Sequence, residues 1–194
     1  MTSLESALHR IAADLSRSNA DFALIGGLAV SVRTEPRFTR DADFAVVVES
    51  DQEAESLIRQ LRARGYEIAA VLEQKAVGRL ATVRLTLADA ADGPVIDLLF
   101  ASSGIEREVV AASEPIELLP GLTIGVARIE HLIALKVLSR DDERRPQDLV
   151  DLRALLRAAT AEDVARAREA LGLIATRGFH RGRELASQLD ALLA

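Results

Sequence analysis

The stretch that most narrows the folds open to this chain is residues 21–48. There the apolar run DFALIGG ends in a glycine pair, LAVSVR follows at helical spacing, Thr34, Glu35 and Pro36 stop it, and ADFAVVV resumes as an extended apolar run. Proline cannot continue a helix and glycine tolerates a tight turn, so the order reads strand, turn, helix, strand. A helix inserted between two buried strands implies layers of sheet and helix rather than a bundle or a sandwich.

The flanking sequence extends that alternation. Leu4, Ala7, Leu8, Ile11, Ala12 and Leu15 recur at helical spacing over residues 3–17, with Ser3 as N-cap, and Ala54, Leu57, Ile58 and Leu61 do the same over 51–63 before Gly65. YEIAAVL, RLATVRLTL and PVIDLLF read as three strands, with a turn at 89–93 between the last two, and PIELLPGLTIGVA as short extended pieces around Pro120 and Gly121. Beyond residue 127 the strand patterns stop. Residues 129–139, 147–158, 161–171 and 181–193 carry a 3.6-residue apolar period, and TAED at 160–163 is an N-terminal capping stretch. The expectation is an α/β (α+β) core with a mixed sheet over residues 1–127 and a helical subdomain over 128–194.

Composition excludes several functions. The chain of 194 residues contains no cysteine, which removes disulfides, thiol catalysis and thiolate-bound zinc, so any metal must be held by oxygen or imidazole. Apolar residues make up 49%, yet no apolar run nears the roughly 18 residues that cross a bilayer, and the N-terminus lacks the apolar core of a secretory signal. A cytoplasmic protein without membrane contact is the expectation. The net charge of −6 argues against a surface given over wholly to nucleic acid while leaving room for a local basic cleft. His9, His131 and His180 show no metal-ligand spacing.

The chemistry concentrates in a few positions. Gly26 and Gly27 lie where a strand feeds a helix, so exposed N–H groups at the helix start can receive phosphate; the same pair also serves as a plain tight connection. Asp41 and Asp43 alternate at the mouth of a strand and share one face, an arrangement that chelates a hard divalent cation or simply caps the strand. Asp97 interrupts the apolar PVIDLLF, where an ionised carboxylate requires compensation by a cation or by an arginine such as Arg84. Three carboxylates drawn together would suit metal-assisted phosphoryl transfer. Lys136 falls on the stripe of Ile129, Leu132 and Ile133, and Asp148 and Asp151 lie three apart on the next helix, so a lysine aimed at phosphate and a structural lysine–aspartate bridge are both open readings. Of Arg33, Arg37 and Arg40 beside this region, Arg40 is the preferred phosphate contact. The basic RGFHRGRE at 177–184 reads as a loop and helix start outside the site.

GGLAVSVRTEPRFTRDADFAVVV resembles the first two motifs of the DNA polymerase β-type nucleotidyltransferase superfamily, in particular its AbiEii/AbiGii-type toxin branch. EHLIALKVLSRDDERRPQDLVDLRALL is similar to that branch's helical motifs. The resemblance covers roughly residues 22–157 and departs from the pattern at Gly27–Leu28, where many members have serine after the first glycine, and at Gln147, where this branch often has lysine. It implies a polymerase β-like core that transfers a nucleoside monophosphate from a nucleoside triphosphate to an acceptor hydroxyl. Asp41 and Asp43 match its metal-binding acids and would hold Mg2+ or Mn2+; Asp97, placed by strand logic more than by a matched motif, would join them and assist as base, Lys136 would neutralise phosphate charge, Asp148 would act with it, and Gly26, Gly27 and Arg40 would bind the substrate. It also implies RNA, such as the tRNA 3' end, as acceptor and a cognate antitoxin as partner. The rival readings are a small-molecule nucleotidyltransferase, an inactive nucleotide- or partner-binding member, and a sugar-nucleotide enzyme using the paired aspartates.

Overall fold

A computed structural model describes residues 3–88 and 93–193. Helix α1 (Ser3–Arg17) is followed by β1 (Phe22–Ile25), α2 (Gly26–Arg33), β2 (Asp41–Val46), α3 (Asp51–Ala63), β3 (Tyr66–Gln74), β4 (Arg79–Leu87) and β5 (Val95–Leu99). Then come α4 (Glu106–Ala111), β6 (Glu114–Leu119), β7 (Leu122–Val126), α5 (Ile129–Ser139), α6 (Pro146–Ala158), α7 (Ala161–Thr176) and α8 (Leu185–Leu193). The expected turn at 89–93 falls largely outside the described residues, but β4 and β5 on either side pair antiparallel, Thr82 opposite Leu99 and Leu85 opposite Ile96.

The strands form one mixed sheet in the order β3-β4-β5-β2-β1-β7-β6. β2 pairs antiparallel with β1 and parallel with β5, and β1 pairs parallel with β7. These parallel neighbours are remote in sequence, so helices must cross between them, which is why the apolar runs of β1 and β2 are almost wholly buried. A single apolar cluster takes in Leu8 and Ile11 of α1, Phe44 of β2, Leu98 of β5 and, beyond residue 127, Ile133 of α5, Leu152 of α6 and Leu171 of α7. Helix α5 packs on α6 and α7, and α2 touches both α5 and α6, so the helix that begins at the glycine pair joins the sheet to the C-terminal helices.

Local chemistry explains most boundaries. Ser50 caps α3 by accepting from the Glu53 N–H while Glu53 accepts from the Glu49 N–H, and Thr160 and Asp163 make a reciprocal capping box on α7. Pro146 sits in the first turn of α6, where its missing N–H has no helical partner to lose. Helix α4 was not anticipated, since six residues are too few to show a period. It is held by Glu106, which accepts from the N–H groups of Ser102 and Ser103 and the Ser103 hydroxyl. Helix α7 runs past Gly172 to Thr176, and α8 starts at Leu185 rather than 181 because Arg181 and Gly182 adopt positive φ.

Buried Asp14 ties α1 to the start of β3: Tyr66 donates its hydroxyl to Asp14 Oδ2 at 2.9 Å, Arg64 donates to the Asp14 carbonyl at 2.9 Å, and Arg17 pairs with the other carboxylate oxygen. Tyr66→Phe leaves one oxygen of a buried carboxylate short of a donor and should cost about 1–2 kcal/mol, measurable by urea unfolding.

Candidate active site

The register of the sheet sets Arg84 opposite Asp97, Asp97 opposite Asp43, and Asp43 opposite Ile25, in one row across β4, β5, β2 and β1. Asp41, two residues before Asp43, shares its face and lies exposed at the strand mouth. Two acids 54 positions apart in sequence are thus neighbours on parallel strands, Asp43 and Asp97.

Their environments differ. Asp97, only 8% exposed, receives both oxygens' worth of donation from one guanidinium: Arg84 Nε reaches Oδ1 at 2.9 Å and Nη2 reaches Oδ2 at 2.7 Å. The arginine considered from sequence is therefore its partner, and that bond is the main cause of the raised pKa of Arg84. Asp43 has no such donor among the described residues. Burial first, and then the like charge of Asp97, push it up to about 6, with Asp41 adding to the rise while Lys136 and Arg145 pull the other way.

Gly26 supplies the space Asp43 occupies. Its φ is +65°, and a Cβ there would fall 1.9 Å from Asp43 Oδ2. Gly26→Ala should cost about 1–3 kcal/mol for the left-handed backbone alone and force the carboxylate aside, lowering both the melting temperature and any activity that needs Asp43. Gly27 admits a different group: a Cβ there would meet Arg37 Nη2 at 2.6 Å and Thr39 Oγ1 at 3.2 Å.

On the helical side, Lys136 Nζ lies 2.7 Å from Asp148 Oδ1 and 2.8 Å from Asp151 Oδ2. Asp148 also accepts from the Ser139 hydroxyl at 3.1 Å and has Arg145 Nε at 3.5 Å. Asp151, 1% exposed, accepts from Arg37 Nη2 at 2.7 Å and Gln147 Nε2 at 3.0 Å. Burial works to raise the Asp151 pKa, but the bonds from Arg37, Lys136 and Gln147 outweigh it and hold the carboxyl below its ordinary value. Lys136 thus makes the two-acid bridge weighed from sequence and is also near enough to act on Asp43.

The arginines sort differently from expectation. Arg37, sent back towards α2 by Pro36, packs on Gly27 and joins the buried network, whereas Arg40 stacks over Phe38, which is 79% exposed. Arg33 is a structural pin, donating to the carbonyls of Val126 and Ala127 and pairing with Glu114 at 2.6 Å. Arg37, Arg84, Arg145 and Asp151 all lie in this region beyond the residues chosen from sequence. The proline before Arg37, the Asp-x-x-Asp spacing and, for Arg84, the lone acid of the neighbouring apolar strand were the available signals, while Arg145 had none beyond its charge.

A divalent cation is implied by the paired aspartates. Among the described residues no group of three or more His, Asp or Glu side chains is arranged to hold a metal, and the expected triad of Asp41, Asp43 and Asp97 departs from such a cage because Arg84 already satisfies Asp97. The fit is to two acids: Asp43, a carboxylate without a hydrogen-bond donor that like charge and burial disfavour, and Asp41 beside it. Asp97 joins them only if Arg84 turns away.

A sheet carrying paired aspartates next to a strand–Gly-Gly–helix turn defines a nucleotidyltransferase fold, and solved structures agree. The antigenic nucleotidyltransferase-like protein from Paracoccidioides brasiliensis is 18% identical over 97% of this chain and 93% of its own, with a TM-score of 0.53. ANT(2")-Ia in complex with adenylyl-2"-tobramycin is 16% identical over 91% of this chain and 99% of its own, with a TM-score of 0.57. The lincosamide antibiotic adenylyltransferase LnuA, lincomycin-bound, is 14% identical over 80% and 98%, with a TM-score of 0.50. At such low identity these structural likenesses show the fold alone. Residues 8–192 match the family described as nucleotidyl transferase AbiEii toxin of type IV toxin–antitoxin systems, and the chain belongs to that family. No protein of curated function matches the sequence significantly. No described helix is long and apolar enough to cross a membrane.

Proposed function

We propose that the protein transfers a nucleoside monophosphate from a nucleoside triphosphate to an acceptor hydroxyl, and that the acceptor is RNA, such as a tRNA 3' end. The observation that carries this reading is the adjacency of Asp43 and Asp97 on parallel strands, with Asp41 on the same face and Gly26 against the Asp43 carboxylate. Asp41 and Asp43 would hold Mg2+ or Mn2+, which when bound supplies Lewis-acid polarisation of phosphoryl oxygen. The acceptor oxygen bonds to the α-phosphorus, the α–β phosphoanhydride bond breaks, pyrophosphate departs and the hydroxyl proton passes to solvent. Gly26 and Gly27 would bind phosphate through the N–H groups at the start of α2, the room left by their missing side chains being taken by Asp43 and Arg37. Lys136, held in place by Asp148 and Asp151, brings positive charge near Asp43. Asp97, held on both oxygens by Arg84, contributes fixed charge beside Asp43. A cognate antitoxin is supported by the toxin–antitoxin family to which the chain belongs, whereas the RNA acceptor is this reading's own step beyond it.

A small-molecule acceptor is the second reading, favoured by the likeness to ANT(2")-Ia and LnuA, whose structures contain adenylyl-tobramycin and lincomycin. Incubating the protein with each α-labelled triphosphate, Mg2+ or Mn2+, RNA and a panel of hydroxylated small molecules separates the two. Label in RNA is the expected result, and label in the small-molecule fraction would replace the first reading by the second. Triphosphate binding without transfer to any acceptor would leave a nucleotide-binding protein.

A further inference from the structure

Asp41 and Asp43 on β2 and Asp97 on β5 share one face of the sheet, and among the described residues the cation paired with any of them is Arg84, whose Nη2 lies 2.7 Å from Asp97 Oδ2. The neighbouring cations are committed elsewhere. Lys136 lies between Asp148 and Asp151, Arg37 ends on Asp151, and Arg145 lies against Asp148. Arg84 stands directly opposite Asp97 in the register, with the small Ala70 opposite it on its other side, and its fork meets both carboxylate oxygens.

The fold has little need of this pair. Val95 and Leu99 are the neighbours of Asp97 along its own face of β5, and apolar residues at both 84 and 97 would spare the sheet the desolvation of a carboxylate that is 8% exposed. The site is where the pair has a consequence. A guanidinium and a divalent ion compete for the same carboxylate oxygens, and the fixed positive charge repels an ion that approaches Asp97. Asp41 and Asp43 meet no such competitor: neither is in an ion pair with a cation among the described residues.

We infer that Arg84 takes the place of a cation on Asp97, so that the site holds one divalent ion, through Asp41 and Asp43, instead of two. The inference rests on the nucleotidyltransferase reading above and makes Arg84 the residue that sets the metal content of that site. Its removal should therefore strengthen metal binding.

Mn2+ binding, followed by the electron paramagnetic resonance signal of the free ion, and the melting temperature in chelator and in Mn2+ are measured on four proteins: wild type, Arg84→Met, Arg84→Lys, and Arg84→Met combined with Asp97→Asn. The wild type should bind one ion. Arg84→Met frees a carboxylate and removes a like charge, so it should bind Mn2+ about tenfold more tightly. It should also melt lower than the wild type in chelator and recover most of that loss in Mn2+, which a purely structural ion pair would not do. The double variant should return to wild-type affinity and lose the recovery. Arg84→Lys, whose ammonium lacks the fork, should gain affinity in smaller measure and carries the test where Arg84→Met does not fold. Two ions on the wild type, or wild-type affinity in the Arg84 variants, would overturn the inference and leave the nucleotidyltransferase reading standing. A gain in affinity that survives in the double variant would come from the lost charge and not from Asp97, and would overturn it as well. A wild type that binds no Mn2+ would overturn both this inference and the assignment of metal to Asp41 and Asp43.

Discussion

Asp43→Asn is expected to abolish nucleotidyl transfer, by on the order of a thousandfold, and at the same time to make the protein more stable at neutral pH. Both effects come from one fact. The carboxylate sits against Gly26, beside Asp97 and without a donor, and its pKa rises from 3.8 to about 6. Between those values the unfolded chain has already released a proton that the folded chain keeps. Stability therefore falls as the pH rises through that window and stays lower above it. An amide carries no such charge, so the variant should gain up to about 3 kcal/mol at neutral pH, less whatever solvent screening removes, and nothing below about pH 4. Thermal melts of both proteins across that range provide the check. A wild-type-like pH profile of stability in the variant would show that Asp43 is not held against its preference. In the wild type, charge-dependent functions of Asp43 should rise as the pH passes about 6.

Asp151→Ala should produce the largest loss of stability, about 3–5 kcal/mol, because it strips two cations of a shared buried partner. Lys136 Nζ at 2.8 Å and Arg37 Nη2 at 2.7 Å both end on Asp151 Oδ2. For a chain of this size that loss corresponds to a drop in melting temperature on the order of 10 °C. Lys136→Met is the companion variant. It leaves Asp148 with Ser139 and Arg145, and Asp151 with Arg37 and Gln147, so the fold should suffer less. If the ammonium also serves phosphate, transfer falls on the order of a hundredfold in Lys136→Met while the melting temperature moves by only a few degrees. A loss of activity that merely tracks the melting temperature in both variants would assign Lys136 to the fold alone.

Much of the architecture was legible because it is local. The 3.6-residue period over 129–139 coincides with α5, the Pro-Gly turn at 120 and 121 separates β6 from β7, and Gly65 ends the α3 segment. The errors were also local and have local causes. Helix α4 is too short to show a period, Gly172 does not end α7, and a left-handed arginine delays α8. Within the site, the shared face of Asp41 and Asp43 followed from strand alternation. The choice among arginines did not follow from any such rule, since Arg33, Arg37 and Arg40 differ in what surrounds them and not in their chemistry.

The sequence by itself therefore determined the succession of strands and helices, the glycine turn, the pair of aspartates on one strand face and the isolated acid in an apolar strand. Each is set by backbone preference or by the period of side chains along a few residues. Only the tertiary structure decided that β5 lies against β2, so that Asp97 meets Asp43, that Arg84 rather than an ion answers Asp97, and that α6 brings two acids to Lys136. Those choices depend on which remote segments bury one another's apolar faces, and no property of a short stretch of chain carries that information.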